Sequence, residues 1–122
     1  MPRILIVDDD KAVRTAIQVL LEYEGFEVVV VENGRSAIEA AAKASIDAAI
    51  VDIVMPGMDG LETIRGIRQM LPTVRIVAMS GGGRSGEGVL DRALGVGATV
   101  ILDKPFTLQQ VLAAADEALA QE

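Results

Sequence analysis

Cysteine and histidine are both absent from this chain of 122 residues. Without cysteine it can form no disulfide, no thiolate metal site and no thiol nucleophile. Without histidine it lacks the side chain that most often serves as a general base near neutral pH and as a transition-metal ligand. Any chemistry of its own must therefore depend on carboxylates, hydroxyls, lysines and arginines.

Aromatic residues are also scarce. Tryptophan is absent, and the aromatic side chains are Tyr23, Phe26 and Phe106, although 51% of the residues are hydrophobic. We therefore expect a core built from Val, Ile, Leu, Ala and Met. A chain of this length can bury such a core without disulfides or structural metals. We expect a single domain over residues 1–122, with no output domain in this chain.

Basic residues are outnumbered by acidic ones, 11 to 18, which gives a net charge of −7. This charge argues against direct contact with nucleic acid. No apolar run approaches the length needed to span a membrane. The first segment, "MPRILIVDDD", has too short an apolar stretch for a signal peptide and runs into three acids. We expect a soluble cytoplasmic protein that binds neither membrane nor nucleic acid.

Apolar runs recur along the chain at regular intervals, and they do not alternate with polar residues. Such runs are typical of strands in a parallel sheet that is covered on both faces. Segments with helical periodicity separate them, so the order strand then helix repeats along the chain. Right-handed crossovers turn this order into an α/β fold with an open, doubly wound sheet. The five runs are residues 4–7, 28–31, 48–51, 75–79 and 99–102.

The helical segments carry apolar residues at spacings of three and four, which predicts one buried face for each helix. Glycines at 25 and 95 are predicted to end the first and fourth helices. Capping boxes are predicted for Asp59 with Glu62 and for Thr107 with Gln110. The residues expected on the inner faces are Val13, Ile17, Leu20 and Leu21; Ala37, Ile38, Ala41 and Ala42; Leu61, Ile64, Ile67, Met70 and Leu71; Val89, Leu90, Ala93 and Leu94; and Leu108, Val111, Leu112, Ala115 and Leu119.

Polar residues stand where four of the five strands end. Asp8 and Asp9 follow the first strand, Asp52 the third, Ser80 the fourth and Lys104 the fifth. The carboxyl ends of parallel strands lie at one edge of the sheet, and ligands bind there. If the first and third strands are neighbours, the three aspartates converge on one pocket.

Converging carboxylates repel one another unless a cation joins them. Because the chain has neither histidine nor cysteine, the sequence favours a hard, oxygen-binding cation, Mg²⁺ before Zn²⁺. Mg²⁺ held by a few carboxylates typically keeps positions for a phosphoryl oxygen. Lys104 and the Ser80 hydroxyl would complete the charge and the hydrogen bonds around a bound phosphoryl group.

Four segments, in order and at compatible spacing, resemble the receiver domain of two-component response regulators. They are "ILIVDDD" (4–10), "VDIVMPGMDGLE" (51–62), "IVAMS" (76–80) and "DKPF" (103–106). The resemblance covers the whole chain, and the second segment is its most specific part. It implies a CheY-like, flavodoxin-like (βα)5 three-layer sandwich whose five-stranded parallel sheet has the order 2-1-3-4-5.

The resemblance also implies a role for each residue of the acidic pocket. Asp52 corresponds to the phospho-acceptor, which takes a phosphoryl group from a sensor histidine kinase or a histidine phosphotransfer protein. Asp9, Asp52 and the backbone carbonyl of Val54 correspond to the Mg²⁺ ligands, and Asp8 supports them. Such a domain is not a turnover enzyme, although it promotes its own phosphorylation and dephosphorylation.

Further positions correspond to the switch of the family. Ser80 matches the hydroxyl that moves onto the phosphoryl group, and Lys104 matches the cation that contacts it. Ile101 stands where the family often has an aromatic residue, so the activation signal should pass more through segment 81–88 and the helix after it. The resemblance allows a downstream effector, or a homodimer formed through the fourth and fifth helices.

The first helix is expected to present the surface that a kinase recognises. Its exposed side should include Lys11, Arg14, Thr15 and Gln18. Asp10 is expected to cap this helix and to take no part in the site.

Other functions compete with this interpretation. The segment "SGGGRSGEG" (80–88) fits a dinucleotide fingerprint and half-fits a P-loop, but Glu87 stands where a P-loop has lysine and only one helix follows Asp103. A haloacid-dehalogenase-type phosphatase would use Asp8 as nucleophile with Asp10 beside it. A pseudo-receiver, an interaction module without phosphorylation, would have the same fold but would normally lack one of the site residues.

Overall fold

The computed structural model describes residues 2–53, 60–80, 89–103 and 105–120. Strands and helices alternate throughout these ranges, as the sequence predicts. In chain order the elements are β1 (Arg3–Val7), α1 (Lys11–Tyr23), β2 (Glu27–Val31), α2 (Gly34–Lys43), β3 (Ala48–Asp52), α3 (Gly60–Met70), β4 (Arg75–Ser80), α4 (Val89–Val96), β5 (Val100–Asp103) and α5 (Leu108–Leu119).

The strands form one parallel sheet of order β2-β1-β3-β4-β5, which confirms the predicted α/β fold and strand order. Val7 at the end of β1 is paired with Val31 on one side and Val51 on the other. β1 and β3 are therefore neighbours, as convergence of the aspartates requires. β2 lies at an edge and is only partly buried, whereas β3 is buried along its whole length.

Two apolar layers cover the sheet, one on each face. Because strand side chains alternate in direction, Leu5 and Val7 belong to one layer, and Ile4 and Ile6 belong to the other. The first layer packs under α2, α3 and α4, and the second under α1 and α5. Each fully buried aliphatic side chain stabilises the fold by about 1.5–3 kcal/mol. Because both faces of the sheet are covered, the side chains on both faces of each strand must be apolar. This explains the continuous hydrophobic runs in the sequence.

Local hydrogen bonds fix where the helices begin and end. Asp10 caps α1, and Thr107 and Gln110 form the predicted reciprocal capping box at α5. Gly25, at a φ of 97°, ends α1 as predicted. Asp59, the predicted cap of α3, lies outside the described residues.

The predicted end of α4 is wrong. The helix continues through Gly95 to Val96, and Gly97 follows with a φ of 122°. The Gly97 N–H donates to the Leu94 carbonyl, and the Ala98 N–H donates to the Ala93 carbonyl. This pair of bonds closes a helix around a glycine of positive φ, so the glycine that ends the helix is Gly97.

Several predicted inner-face residues are exposed. Met70, for example, is 48% exposed. The buried faces of the helices contain small residues that the apolar pattern did not predict, such as Thr63 in α3 and Ala114 and Ala118 in α5. Small side chains let a helix lie closer to the sheet, which favours them on the buried face. The exposed residues are Ala42, Met70, Leu94 and Leu108.

Arg68 joins three parts of the fold through its guanidinium group. It donates to the carbonyls of Pro72 and Val74 before β4, and to the carbonyl of Gly97 after α4. Burial, and then the charge of Arg75, lower the pKa of Arg68 below its usual range. The carbonyls stabilise a cation that has lost part of its hydration.

No helix in the described ranges is long and apolar enough to cross a membrane.

Two glycines near the end of α4 should respond in opposite directions to alanine. A Cβ at Gly97 would lie 2.8 Å from Nε of Arg68, on a backbone with positive φ, whereas a Cβ at Gly95 would meet nothing within 4 Å. We expect Gly97→Ala to lower the free energy of unfolding by about 1–3 kcal/mol. Gly95→Ala should raise it by about 0.5–1 kcal/mol, because alanine favours the helix. Urea titration of both variants tests this, and destabilisation of the same size in both would contradict it.

Candidate functional site

The carboxyl edge of the sheet brings three buried polar residues together. Asp8 directly follows β1, while Asp52 and Ser80 are the last residues of the neighbouring strands β3 and β4. Asp52 is paired with Met79, so Ser80 lies one residue further along the edge. Asp8 is 0% exposed, and Asp52 and Ser80 are each 3% exposed. The polar groups at these strand ends are buried, so they form a candidate site enclosed by protein and not a row of solvent-exposed side chains.

Asp8, Asp9 and Asp52 form an acidic cluster, as the sequence predicts. One carboxylate oxygen from each residue lies within 4.8 Å of the other two. At an effective dielectric constant of about 20, two unit charges at this separation repel by roughly 3 kcal/mol. A divalent cation would reverse the sign of this energy. The donors are all oxygens, two of the three residues are buried, and the exposed Asp9 leaves a path from solvent, so the cluster fits a hard cation such as Mg²⁺.

The turn between β1 and α1 holds Asp8 in place. The Asp10 N–H donates to Asp8 Oδ1 at 2.9 Å, and the Arg14 guanidinium donates to the Asp8 carbonyl at 2.8 Å. The second carboxylate oxygen of Asp8 is buried as well. Asp10 caps the helix as predicted, but its backbone also orients Asp8. Neither this role of Asp10 nor the contact of Arg14 has a signal in the sequence pattern.

The backbone just after Asp52 is fixed by α3 and β4. The Ile53 N–H donates to the Met79 carbonyl, and the Gly60 N–H donates to the Ile53 carbonyl, both at 2.8 Å. A Cβ at Gly60 would lie 2.2 Å from Cα of Ile53 and 2.5 Å from the carbonyl oxygen of Asp52. Only glycine allows α3 to begin this close to the acidic cluster.

The switch positions are only partly described. Ser80 is paired with Asp103 of β5. Ile101 is paired with Ala78 and lies half-buried against the layer under α2, α3 and α4. Val54, Lys104 and segment 81–88 lie outside the described residues, so the roles predicted for them stay predictions.

The residues predicted to recognise a kinase line one groove. Lys11, Arg14, Thr15 and Gln18 face the end of β2 and the start of α2 across a space of about 440 Å³. Lys11 and Thr15 are exposed, while Arg14 and Gln18 are half-buried. The groove therefore begins at the surface and reaches, through Arg14, the backbone of Asp8.

Residues 4–116 match the family model of the response regulator receiver domain. The chain belongs to this family. The match confirms the resemblance stated from the sequence motifs and makes the protein a signalling domain of a two-component response regulator.

Curated response regulators are similar in sequence. The chain is 37% identical over 113 residues to the response regulator MprA of Mycolicibacterium vanbaalenii, covering 91% of this chain and 47% of that protein. It is 31% identical over 120 residues to the uncharacterized transcriptional regulatory protein YkoG of Bacillus subtilis, covering 97% and 51%. The chain thus spans about half the length of these relatives.

Solved receiver domains share the fold. A CheY-like receiver domain from Methanospirillum hungatei superimposes with a TM-score of 0.89 at 28% identity, covering 98% of this chain and 94% of that one. The response regulator TrrA from Thermotoga maritima, solved in complex with Mg²⁺-BeF, gives 0.84 at 28% identity, covering 97% and 99%. The flavodoxin-like architecture is therefore confirmed.

Alanine substitutions at two glycines of α3 separate contact with the site from contact elsewhere. A Cβ at Gly60 meets the backbone of Asp52 and Ile53, whereas a Cβ at Gly66 meets only the side chain of Ile38. We expect Gly60→Ala to lower the free energy of unfolding by about 2–3 kcal/mol, since backbone must move. Gly66→Ala should change it by less than about 1 kcal/mol, because Ile38 can rotate and alanine favours the helix. Thermal unfolding measures the stability of the two variants. Equal losses of stability would show that the close approach of α3 to the backbone after Asp52 does not require glycine at position 60.

Proposed function

We propose that this chain is the phospho-acceptor receiver of a two-component or phosphorelay system. In this proposal Asp52 takes a phosphoryl group from the phosphohistidine of a sensor histidine kinase or a histidine phosphotransfer protein. The observation that carries the proposal is the convergence of Asp52 with Asp8 and Asp9 beside the buried Ser80. Membership of the receiver family supports the same function.

Asp8, Asp9 and Asp52 would hold Mg²⁺, with the backbone carbonyl of Val54 as a further ligand. Their close approach and their all-oxygen donor set support this assignment. The complex of TrrA with Mg²⁺-BeF shows that a protein of the same fold is compatible with this ion. When bound, the ion neutralises negative charge on the acidic cluster and on the phosphoryl oxygens.

The proposed transfer is a substitution at phosphorus. A carboxylate oxygen of Asp52 forms a bond to phosphorus while the bond from phosphorus to the donor's histidine nitrogen breaks, and that nitrogen keeps the electron pair. The chain contains no histidine, so the donor histidine lies outside these 122 residues. Such transfers depend on positioning and on charge neutralisation more than on covalent help. The fixed backbone around Asp52 supplies the positioning, and Lys104 would supply a further positive charge.

Phosphorylation replaces one carboxylate charge with nearly two negative charges. Ser80 ends the neighbouring strand, and its hydroxyl would donate a hydrogen bond to the new phosphoryl oxygens. Movement of Ser80 would bias the region between β4 and α4 and the surface formed by α4, β5 and α5. Because Ile101 is aliphatic, it has no ring or hydroxyl to present, so the segment after Ser80 would carry the signal.

The proposed switch implies two kinds of partner, one that supplies the phosphoryl group and one that receives the signal. A histidine kinase or phosphotransfer protein would supply the phosphoryl group, and a downstream effector or a homodimer through α4 and α5 would receive the signal. The relatives' extra length, and the name of one as a transcriptional regulatory protein, support an effector region beyond a receiver. We place the protein in the cytoplasm and expect no direct contact of this domain with nucleic acid or membrane.

The chain would promote its own phosphorylation and dephosphorylation without turning over a free substrate. A haloacid-dehalogenase-type phosphatase would need the Asp10 carboxylate for chemistry. That carboxylate instead accepts the N–H groups of Ala12 and Val13 as the cap of α1. A pseudo-receiver would lack a site residue, and here every expected residue type is in place in the sequence.

Intact mass after incubation with Mg²⁺ and a small acyl phosphate tests the proposal. We expect one added phosphoryl group on the wild type, stable in acid and lost in base. Asp52→Asn should show none, and chelation of Mg²⁺ should prevent the reaction.

Asp8→Asn serves as the discriminating control. A receiver should keep a slower reaction in this variant because its acceptor is intact, whereas a phosphatase with Asp8 as nucleophile would lose it. No adduct on the wild type would contradict phospho-acceptor chemistry, and an adduct that persists in Asp52→Asn would move the nucleophile to another residue.

A further inference from the structure

Arg14 lies between the acidic cluster and the groove beside α1. Its guanidinium donates to the Asp8 carbonyl at 2.8 Å, and the same side chain lines the groove with Lys11, Thr15 and Gln18. We infer that Arg14 is a positioning residue that raises the affinity of the acidic site for Mg²⁺. The inference rests on the proposed function, because it assumes that the cluster binds the ion.

The position of Arg14 in the helix makes its reach possible. Its own N–H donates to the Asp10 carbonyl at 3.0 Å, so its backbone belongs to the first turn of α1. Helical side chains point back toward the start of their helix. The guanidinium therefore returns over the first turn and meets the chain where it leaves β1.

The carbonyl that Arg14 binds belongs to a residue just beyond the end of β1. The Asp8 N–H donates to the Val31 carbonyl at 3.4 Å, which is long for such a bond. Asp8 lies beyond the last paired residue of β1, Val7. A charge-assisted bond to the Asp8 carbonyl therefore fixes a strand end that the sheet itself holds weakly.

Charge and geometry act in opposite directions here. The Arg14 cation is one hydrogen bond away from the backbone of an aspartate in a cluster of three. A fixed positive charge beside the cluster eases the repulsion among the carboxylates but also repels Mg²⁺, so a favourable effect of Arg14 on Mg²⁺ binding must come from the way it orients Asp8. Partners that orient metal ligands typically change metal affinity about 10–100-fold when they are removed.

Calorimetric titration with Mg²⁺ tests the inference without phosphorylation. We expect Arg14→Met to weaken Mg²⁺ binding about tenfold. Lys11→Met removes the same charge from the same groove and should change binding less than about twofold, because exposed charges are largely screened. Equal weakening in the two variants would show that the effect is not specific to the Arg14 contact, and unchanged or tighter binding in Arg14→Met would overturn the role of Arg14.

Nuclear magnetic resonance of the wild-type guanidinium keeps the test valid if Arg14→Met does not fold. The Arg14 side-chain N–H signals should shift during the Mg²⁺ titration with the midpoint found by calorimetry. Signals that stay unchanged while Mg²⁺ binds would overturn the inference.

The two proposals fail in different ways. A wild type that binds no Mg²⁺ would overturn both. A wild type that binds Mg²⁺ and is phosphorylated at Asp52, but is indifferent to Arg14→Met, would overturn only the role of Arg14.

Discussion

Repulsion among carboxylates at one edge of a parallel sheet is the constraint around which this structure is arranged. Asp8 and Asp52 are buried and close together, so their charges cost stability unless a cation joins them. The two apolar layers stabilise the sheet enough to hold the cluster in place. The apolar layers thus stabilise the fold, and the strand ends hold the acidic cluster that we propose as the functional site.

Much of this arrangement can be predicted from the sequence, for reasons that are physical. Continuous apolar runs such as residues 48–51 indicate strands that are covered on both faces. Once β1 and β3 are neighbours, parallel strands must bring Asp8 and Asp52 to the same edge. The helix caps Asp10 and Thr107 are readable because capping depends on residues only two or three positions apart.

Features that depend on contacts between separate elements have no signal in the local sequence pattern. The bond from Arg14 to Asp8 depends on how the chain turns after β1, and hydrophobic periodicity carries no signal for it. Gly97 ends α4 with a positive φ, and Arg68 of another helix binds its carbonyl, whereas the sequence pattern favoured Gly95. Met70 has the spacing of a core residue but is exposed, whereas α3 buries the smaller Thr63. In each case packing between separate elements decided among choices that were locally equivalent.

We propose that the acidic cluster is a cation site whose repulsion is relieved by Mg²⁺. The most direct test is the free energy of unfolding of the wild type and Asp9→Asn, each measured in urea with and without Mg²⁺. Without Mg²⁺ we expect Asp9→Asn to be the more stable by about 1 kcal/mol, because one repelling charge is gone. At about 100 times its dissociation constant, Mg²⁺ should stabilise the wild type by about 2.7 kcal/mol and reverse the order. Equal stabilisation of both proteins by Mg²⁺, or a variant that is less stable without it, would contradict the claim.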